Sequence, residues 1–279
     1  MRLSAAGFFM MLGCVFLALG AAAQTAPAAT DTPGTIHLFN GKDLTGFYKF
    51  IKDRGRDKDP KEVFTVKDGL LRISGEEWGC VTSSDEFENF RLIVEFKWGE
   101  LTHANRKEAA RDSGVLVRSV GEDGGYSGIW MHSIECQLIE GGTGDILVVG
   151  DGSDNFQVTA PTAPELDKDC PVYKPGGQPR TIKSGRINWY GRDPEWKDVK
   201  GFRGKQDVEK PVGEWNRYEC IAEGGKITLL LNGVTVNECF NVRPAKGRIQ
   251  IQSEGAELYV RRVDVVPFAA SGGPVQTRK

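Results

Sequence analysis

Several side chains able to give, take or hold a proton fall together in one run, WMHSIECQLIEGGTGD, residues 130–145. It holds His132, Glu135, Gln137 and Glu140 and closes on a glycine-rich turn at Asp145. Carboxylates and an imidazole at this density suit general acid–base work. Written as a strand, the run puts Glu135 and Gln137 on one face and Cys136 and Leu138 on the other, toward a core. Strict alternation would send Glu140 to the core side. A bulge near Leu138-Ile139, or a strand end there, would return it to the side of Glu135. His132 has the wrong parity to share a face with Glu135 unless the strand begins after it. The competing reading is a wetted sheet face with no chemistry.

The elements around this run read as short strands joined by tight turns. Residues 63–66 and 70–73 flank Asp68-Gly69, and residues 227–231 and 234–236 flank Asn232-Gly233. Both dipeptides suit the positive φ of hairpin turns. In residues 91–98, Leu92, Val94, Phe96 and Trp98 alternate with Glu95 and Lys97. Residues 248–252 set Ile249 and Ile251 against Gln250 and Gln252, and a β-rich run from 258 to 266 stops at Pro267. This pattern predicts an antiparallel sandwich. Residues 103–111 read as a solvated charged loop, with a short charged helix or a flexible excursion as the alternatives. Residues 158–210, rich in Pro, Gly and Lys, show few strand signals. Their Trp189, Tyr190, Trp196 and Phe202 argue for an ordered excursion over one face of the sandwich.

Composition bounds the function classes. The 279 residues suffice for one large β domain, and a formal net charge of −2 offers no electrostatic basis for nucleic acid or an anionic membrane. Arg2, an apolar run from Ala5 to Gly20 and Ala21-Ala22-Ala23 have the form of a cleavable leader over residues 1–23. The run is shorter than a spanning helix needs. Cys14 lies inside that run and not at its end, so ordinary cleavage is expected ahead of lipoprotein processing. The mature chain is then periplasmic or secreted, with no membrane attachment. Residues 24–35 read as a disordered spacer, 36–268 as one domain and 269–279 as a disordered tail. Cleavage leaves Cys80, Cys136, Cys170, Cys220 and Cys239, an odd set. Cys220 and Cys239 flank a hairpin and are candidates either for pairing or for simple burial. No CxxC or Cys/His cluster suggests zinc.

The run from Glu135 to Glu140 resembles the E-x-D-x-x-E pattern of β-sandwich glycosidases, whose paired carboxylates line a concave face. Here Gln137 replaces the middle acid and cannot ionise, which disfavours ordinary two-carboxylate hydrolysis. A wider set of motifs points elsewhere. LFNGKDLTG (38–46), DSGVLVR (112–118), SIECQ (133–137), GTGD (142–145), GEWN (213–216) and IQIQSEG (249–255) occur in that order. Together they resemble the 3-keto-disaccharide hydrolase family over residues 36–268, with Phe47 where that family commonly has Trp.

The resemblance implies an all-β, concanavalin A-like jelly-roll sandwich acting on glycosides already oxidised at C3. It implies 3-keto-glycoside 1,2-lyase or 3-keto-2-hydroxyglucal hydratase activity, which together amount to hydrolysis. A C3 ketone acidifies the C2 proton, so a base can remove it and the C1 substituent can leave. That chemistry needs a base, a proton for the leaving group and a partner for the enolate oxygen. Glu135 is expected as acid/base, with His132 as partner. Arg118 is a candidate for polarising the ketone, or else a strand-end surface arginine. Gln137 and Gln252 suit hydroxyl recognition, Lys97 and Glu140 are further substrate-binding candidates, and Trp189 and Trp196 either stack on sugar rings or anchor the excursion. Asp145 either caps its turn or meets a cation. The resemblance leaves a divalent metal open, with no ligand set specified. A non-catalytic carbohydrate-binding module is the alternative from another class. Anomeric preference and oligomeric state have no signature.

Overall fold

The computed structural model describes residues 32–268; the leader, most of the spacer and the tail lie outside the described residues. Within them the chain is almost wholly β, with a single 3-10 turn at Ala104–Arg106. No helix among the described residues is long and apolar enough to cross a membrane.

The strands form an 11-stranded and an 8-stranded antiparallel sheet. The larger is organised about Phe90–Thr102, which pairs with Asn216–Glu223 on one side and Ala256–Pro267 on the other. Its Leu92, Val94, Phe96 and Trp98 are all buried in the shared core. The smaller sheet runs Gly185–Ile187, Ile146–Val149, His132–Ile139, Asp112–Val120, Arg248–Ser253, Gly79–Ser83, Phe47–Ile51 and Gly55–Arg56 in spatial order. Ile134, Cys136, Leu138, Val115, Val117, Ile249, Ile251 and Val81 point from it into the same core. Burial of these alternate residues drives the two sheets together. The chain crosses between sheets repeatedly, as from Gly79–Ser83 to Phe90–Thr102 to Asp112–Val120. This is the concanavalin A-like jelly-roll sandwich.

The hairpin turns are as expected. Asp68 and Gly69 have φ of 52° and 78°, and Asn232 and Gly233 have 51° and 84°. These positive values fit a two-residue primed turn.

The structure corrects or decides three of these readings. Residues 158–210 hold four strands or parts of them: Gln157–Asp167, Cys170–Tyr173, Gln178–Ile182 and Gly185–Ile187. Their prolines hid them. Pro171 and Pro179 sit in strands that pair with Gln157–Asp167, at the margin where a missing N–H is tolerated. Residues 103–111 are solvated only in part: Ala104, Asn105, Lys107 and Glu108 are exposed, the 3-10 turn lies at Ala104–Arg106, and Arg106 and Arg111 are buried. Cys220 and Cys239 are buried and unpaired, and the five described cysteines are all free thiols.

Candidate active site

The face of the smaller sheet turned away from the core is polar yet buried. Register assembles it. Leu116 is opposite Glu135 on one side and Gln250 on the other, and Gly114 is opposite Gln137. Across the next strand Glu135 faces Leu147, which in turn faces Arg186. Side-chain parity therefore gathers Asp112, Glu135, Gln137, Arg186, Gln250 and Gln252 on one surface. Gly114 leaves a hole in it. A Cβ there would lie 2.3 Å from Glu135 Oε1 and 2.4 Å from Gln252 Oε1, so these two side chains meet over the glycine.

Asp112 is held from two directions. Gln137 Nε2 donates to its Oδ1 at 2.7 Å, and Arg106 Nη2 lies 3.1 Å from its Oδ2. Glu135 has no such clamp and is only 5% exposed. Burial pushes its proton affinity up, to about 8, and the nearby Asp112 charge adds to the rise while Arg186 and Gln252 oppose it. Asp112 is pushed up by burial to about 7, against the pull of Arg106 and Arg186. Glu254 is raised well above the usual carboxylate range by burial and by both of these neighbours. Three carboxyls thus share one desolvated patch with two guanidiniums, an arrangement that stores a proton near neutral pH. Gln252 Oε1 is buried without a protein partner. An unmatched acceptor beside an unclamped carboxyl is the kind of exception functional sites show.

A second network fixes the turn that follows Glu135. Arg111 Nη1 lies 3.0 Å from both carboxylate oxygens of Glu140, and Arg111 Nε donates to Gly99 O. Asp145 accepts from Trp189 N at 2.9 Å and from Arg186 Nη1 at 3.2 Å, and it also contacts Arg192. Glu209 accepts from Gly141 N at 3.1 Å, Thr143 Oγ1 at 3.2 Å and Trp98 Nε1. Arg186 belongs to both networks and ties the turn to the carboxyl patch.

The structure brings Glu135, Gln137 and Gln252 together and places the other sequence candidates elsewhere. His132 packs on Phe156 at 4.9 Å and Tyr126 at 6.0 Å, on the face opposite Glu135 because the strand already runs at 132. Arg118 has φ of 55° and sits at a register shift between Val117 and Val120. That twist turns its guanidinium away, to Gly224 O at 2.6 Å and Pro244 O at 3.2 Å. Lys97 lies on the other sheet, over the rings of Trp215 and Tyr259. Trp189 is 1% exposed in the core. Trp196 carries Arg192 on its ring at 4.1 Å and donates to Glu140 O, so it anchors the excursion. Glu140 is paired with Arg111, and Asp145 with Arg186 and Arg192.

Residues that sequence reasoning passed over complete the patch. Asp112 and Gly114 lie in the DSGVLVR motif, but nothing local says that they stand beside Glu135. Arg106 comes from a stretch read as solvated, and Arg186 from one read as irregular. Both oxygens of Asp112 are engaged, one by Gln137 and the other by Arg106. No group of three His, Cys, Asp or Glu side chains among the described residues is arranged to hold a metal.

A jelly-roll sandwich with a buried acid–amide–guanidinium patch on one sheet belongs with carbohydrate-active proteins. Residues 34–266 match the model of the 3-keto-alpha-glucoside-1,2-lyase-like domain, and the chain belongs to that family. Among solved structures, it is similar to a proposed glycosyl hydrolase from Parabacteroides distasonis. The two share 17% identity and a TM-score of 0.51, with 85% of this chain and 95% of that one covered. A second such protein from the same organism gives 19% identity and a TM-score of 0.47, with 84% of this chain and 99% of that one covered. No curated protein matches the sequence.

Proposed function

We propose that this protein cleaves 3-keto-glycosides by proton abstraction at C2 and elimination at C1, with Glu135 as the acid/base. The observation that carries the reading is Glu135 itself: buried, unclamped, resting over Gly114 beside Gln252, with its proton affinity raised toward neutral pH. A carboxyl so tuned suits removal of a carbon-bound proton that a neighbouring ketone has acidified.

In this reading the ionised Glu135 takes the C2 proton, and the electron pair moves onto the C3 oxygen as an enolate. Arg186 is the cation on this face whose charge already acts on Asp112 and Glu135, and it stabilises that oxygen. The enolate then re-forms the ketone, a C1–C2 double bond appears and the C1–O bond breaks. The leaving oxygen receives the proton held by Glu135. Hydration follows the same path backwards, with the hydroxyl of water adding at C1 and a proton returning to C2. Asp112 touches neither proton. Fixed by Gln137 and Arg106, it holds negative charge beside Glu135 and keeps it basic. Gln252 Oε1, free of protein partners, accepts from a sugar hydroxyl.

The leader motif supports action outside the cytoplasm. Family membership supports the keto-sugar substrate. The test is incubation with methyl glucoside and its 3-keto form in deuterated water. Methanol release from the keto form alone, with deuterium entering C2, is expected. Equal release from the unoxidised glucoside would overturn the mechanism.

A further inference from the structure

The excursion that follows Trp189 reaches the carboxyl patch through Asp198. One oxygen of Asp198 lies 3.0 Å from Arg106 Nη1, and the other accepts from Ala110 N at 3.1 Å. Two residues on, Lys200 N donates to Glu108 O at 3.0 Å, so backbone as well as side chain docks the excursion here. Arg106 spends its remaining donors inward. Its Nε and Nη2 donate to Ala110 O at 3.1 Å and 2.7 Å, and Nη2 lies 3.1 Å from Asp112 Oδ2. A guanidinium is planar and its N–H groups point in fixed directions, so holding Nη1 on Asp198 also aims Nη2 at Asp112. The stem of Arg106 lies on Gly255, where a Cβ would stand 2.5 Å from Arg106 Cγ.

The charges around Asp112 come from five elements. Arg106 belongs to the 3-10 turn, Glu135 to His132–Ile139, Arg186 to Gly185–Ile187, Glu254 to the bend past Arg248–Ser253 and Asp198 to the excursion. Burial raises the proton affinity of Asp112, Arg106 and Arg186 oppose the rise, and Asp198 adds to it. Asp198 does so from the surface. Its side chain is 48% exposed, against 10% for Arg106, so it can be replaced without opening the core.

We propose that Asp198 is a positioning residue of the active site: it holds Arg106 against Asp112 and moderates the positive charge that Asp112 meets. The kinetic consequence rests on the keto-glycoside reading of Glu135; the hold on Asp112 does not. Without the charge of Asp198, the charge of Arg106 falls undivided on Asp112, which then gives up its proton more readily. Asp112 and Glu135 titrate as a pair, so when one of the two is ionised the remaining proton rests more on Glu135. The basic form of Glu135 becomes scarcer near neutral pH.

The test replaces Asp198 by Asn, which keeps an acceptor for Ala110 N and removes the charge. Carbon-13 NMR of labelled carboxyls follows Asp112 and Glu135 across pH. Asp198→Asn should move the Asp112 transition down by about half a pH unit and the Glu135 transition up by about as much. Turnover of methyl 3-keto-glucoside should show its climbing limb displaced upward with Glu135, while the plateau stays within about twofold. Asp198→Ser, a second neutral variant, should act in the same direction, and circular dichroism checks that both are folded. Asp112→Asn removes the intermediary, so adding Asp198→Asn to it should displace the limb no further. Asp193 accepts from Glu195 N and Lys205 N within the same excursion and does not touch Arg106. Asp193→Asn should therefore leave both transitions in place. An Asp112 transition unmoved by Asp198→Asn, a limb that still moves in the Asp112→Asn background, or an equal shift from Asp193→Asn would overturn the proposal. An unaltered protein that leaves methyl 3-keto-glucoside intact would overturn the keto-glycoside reading alone, since the NMR titration reads Asp198 without turnover.

Discussion

Glu135 lies across Gly114: its Oε1 stands 2.3 Å from the point that a Cβ on residue 114 would occupy. The glutamate can rest on the neighbouring strand only because that strand has no side chain there. Gly114 is not a turn glycine, since its φ is not positive, and its role is to make room. Gly114→Ala should therefore push Glu135 and Gln252 aside while leaving the sheet paired. Turnover should fall about 100-fold, the usual consequence of misplacing a reacting group by about 1 Å. Steady-state kinetics with an unchanged circular dichroism spectrum would confirm it; full activity would remove Glu135 from its proposed position.

The pH dependence follows from the same carboxyl. Glu135 works as a base only when ionised, and burial raises its proton affinity to about 8. Activity on a 3-keto-glycoside should therefore climb through that region and level off above it. Arg186 opposes the rise. Arg186→Gln should move the climbing limb to higher pH, by about one unit, as losing a close opposite charge does. A limb that stays in place would show that Arg186 does not act on Glu135.

Stability should respond with the opposite sign. The folded protein binds a proton at Glu135 more tightly than the unfolded chain, where the ordinary value is 4.5. Its contribution is fully present below that value and is lost as pH rises toward about 8. Glu135→Gln removes this loss. The variant should melt progressively higher than the unaltered protein as pH rises from about 5 to about 8, while turnover falls at least about 1,000-fold. Thermal melts across pH would settle the first part and kinetics the second.

Buried pairing at the turn gives a purely structural prediction. Arg111 and Glu140 are 4% and 2% exposed and in contact at 3.0 Å. Arg111→Ala leaves a carboxylate buried and unmatched, so denaturant unfolding should show a loss of about 3–5 kcal/mol. Lys97→Ala, on the far sheet, should leave turnover unchanged. A large kinetic effect there would contradict the site's location.

How much was legible in the sequence can be judged from particular residues. Alternation in residues 91–98 and 248–252 and the Asp68-Gly69 and Asn232-Gly233 turns report local geometry, so they announced a sandwich and its core faces. The same alternation put Glu135 and Gln137 on one side, and the Gln252 parity was readable in the same way. The prolines of residues 158–210 concealed strands, because tertiary pairing at a sheet margin tolerates what local propensity disfavours.

What the residues determined on their own was therefore the fold class and the family, since period-two patterning and ordered motifs are properties of a single stretch of chain. Only the tertiary structure decided what Glu135 stands beside. Asp112, Arg106, Gln252 and Arg186 reach it from different strands and loops through long-range register, which no single strand encodes. A left-handed φ at Arg118 and the continuation of the strand through His132 turned two chemically plausible partners away. The proton affinity of Glu135 depends on that assembly, because it is set by desolvation and by charges brought in from elsewhere in the chain.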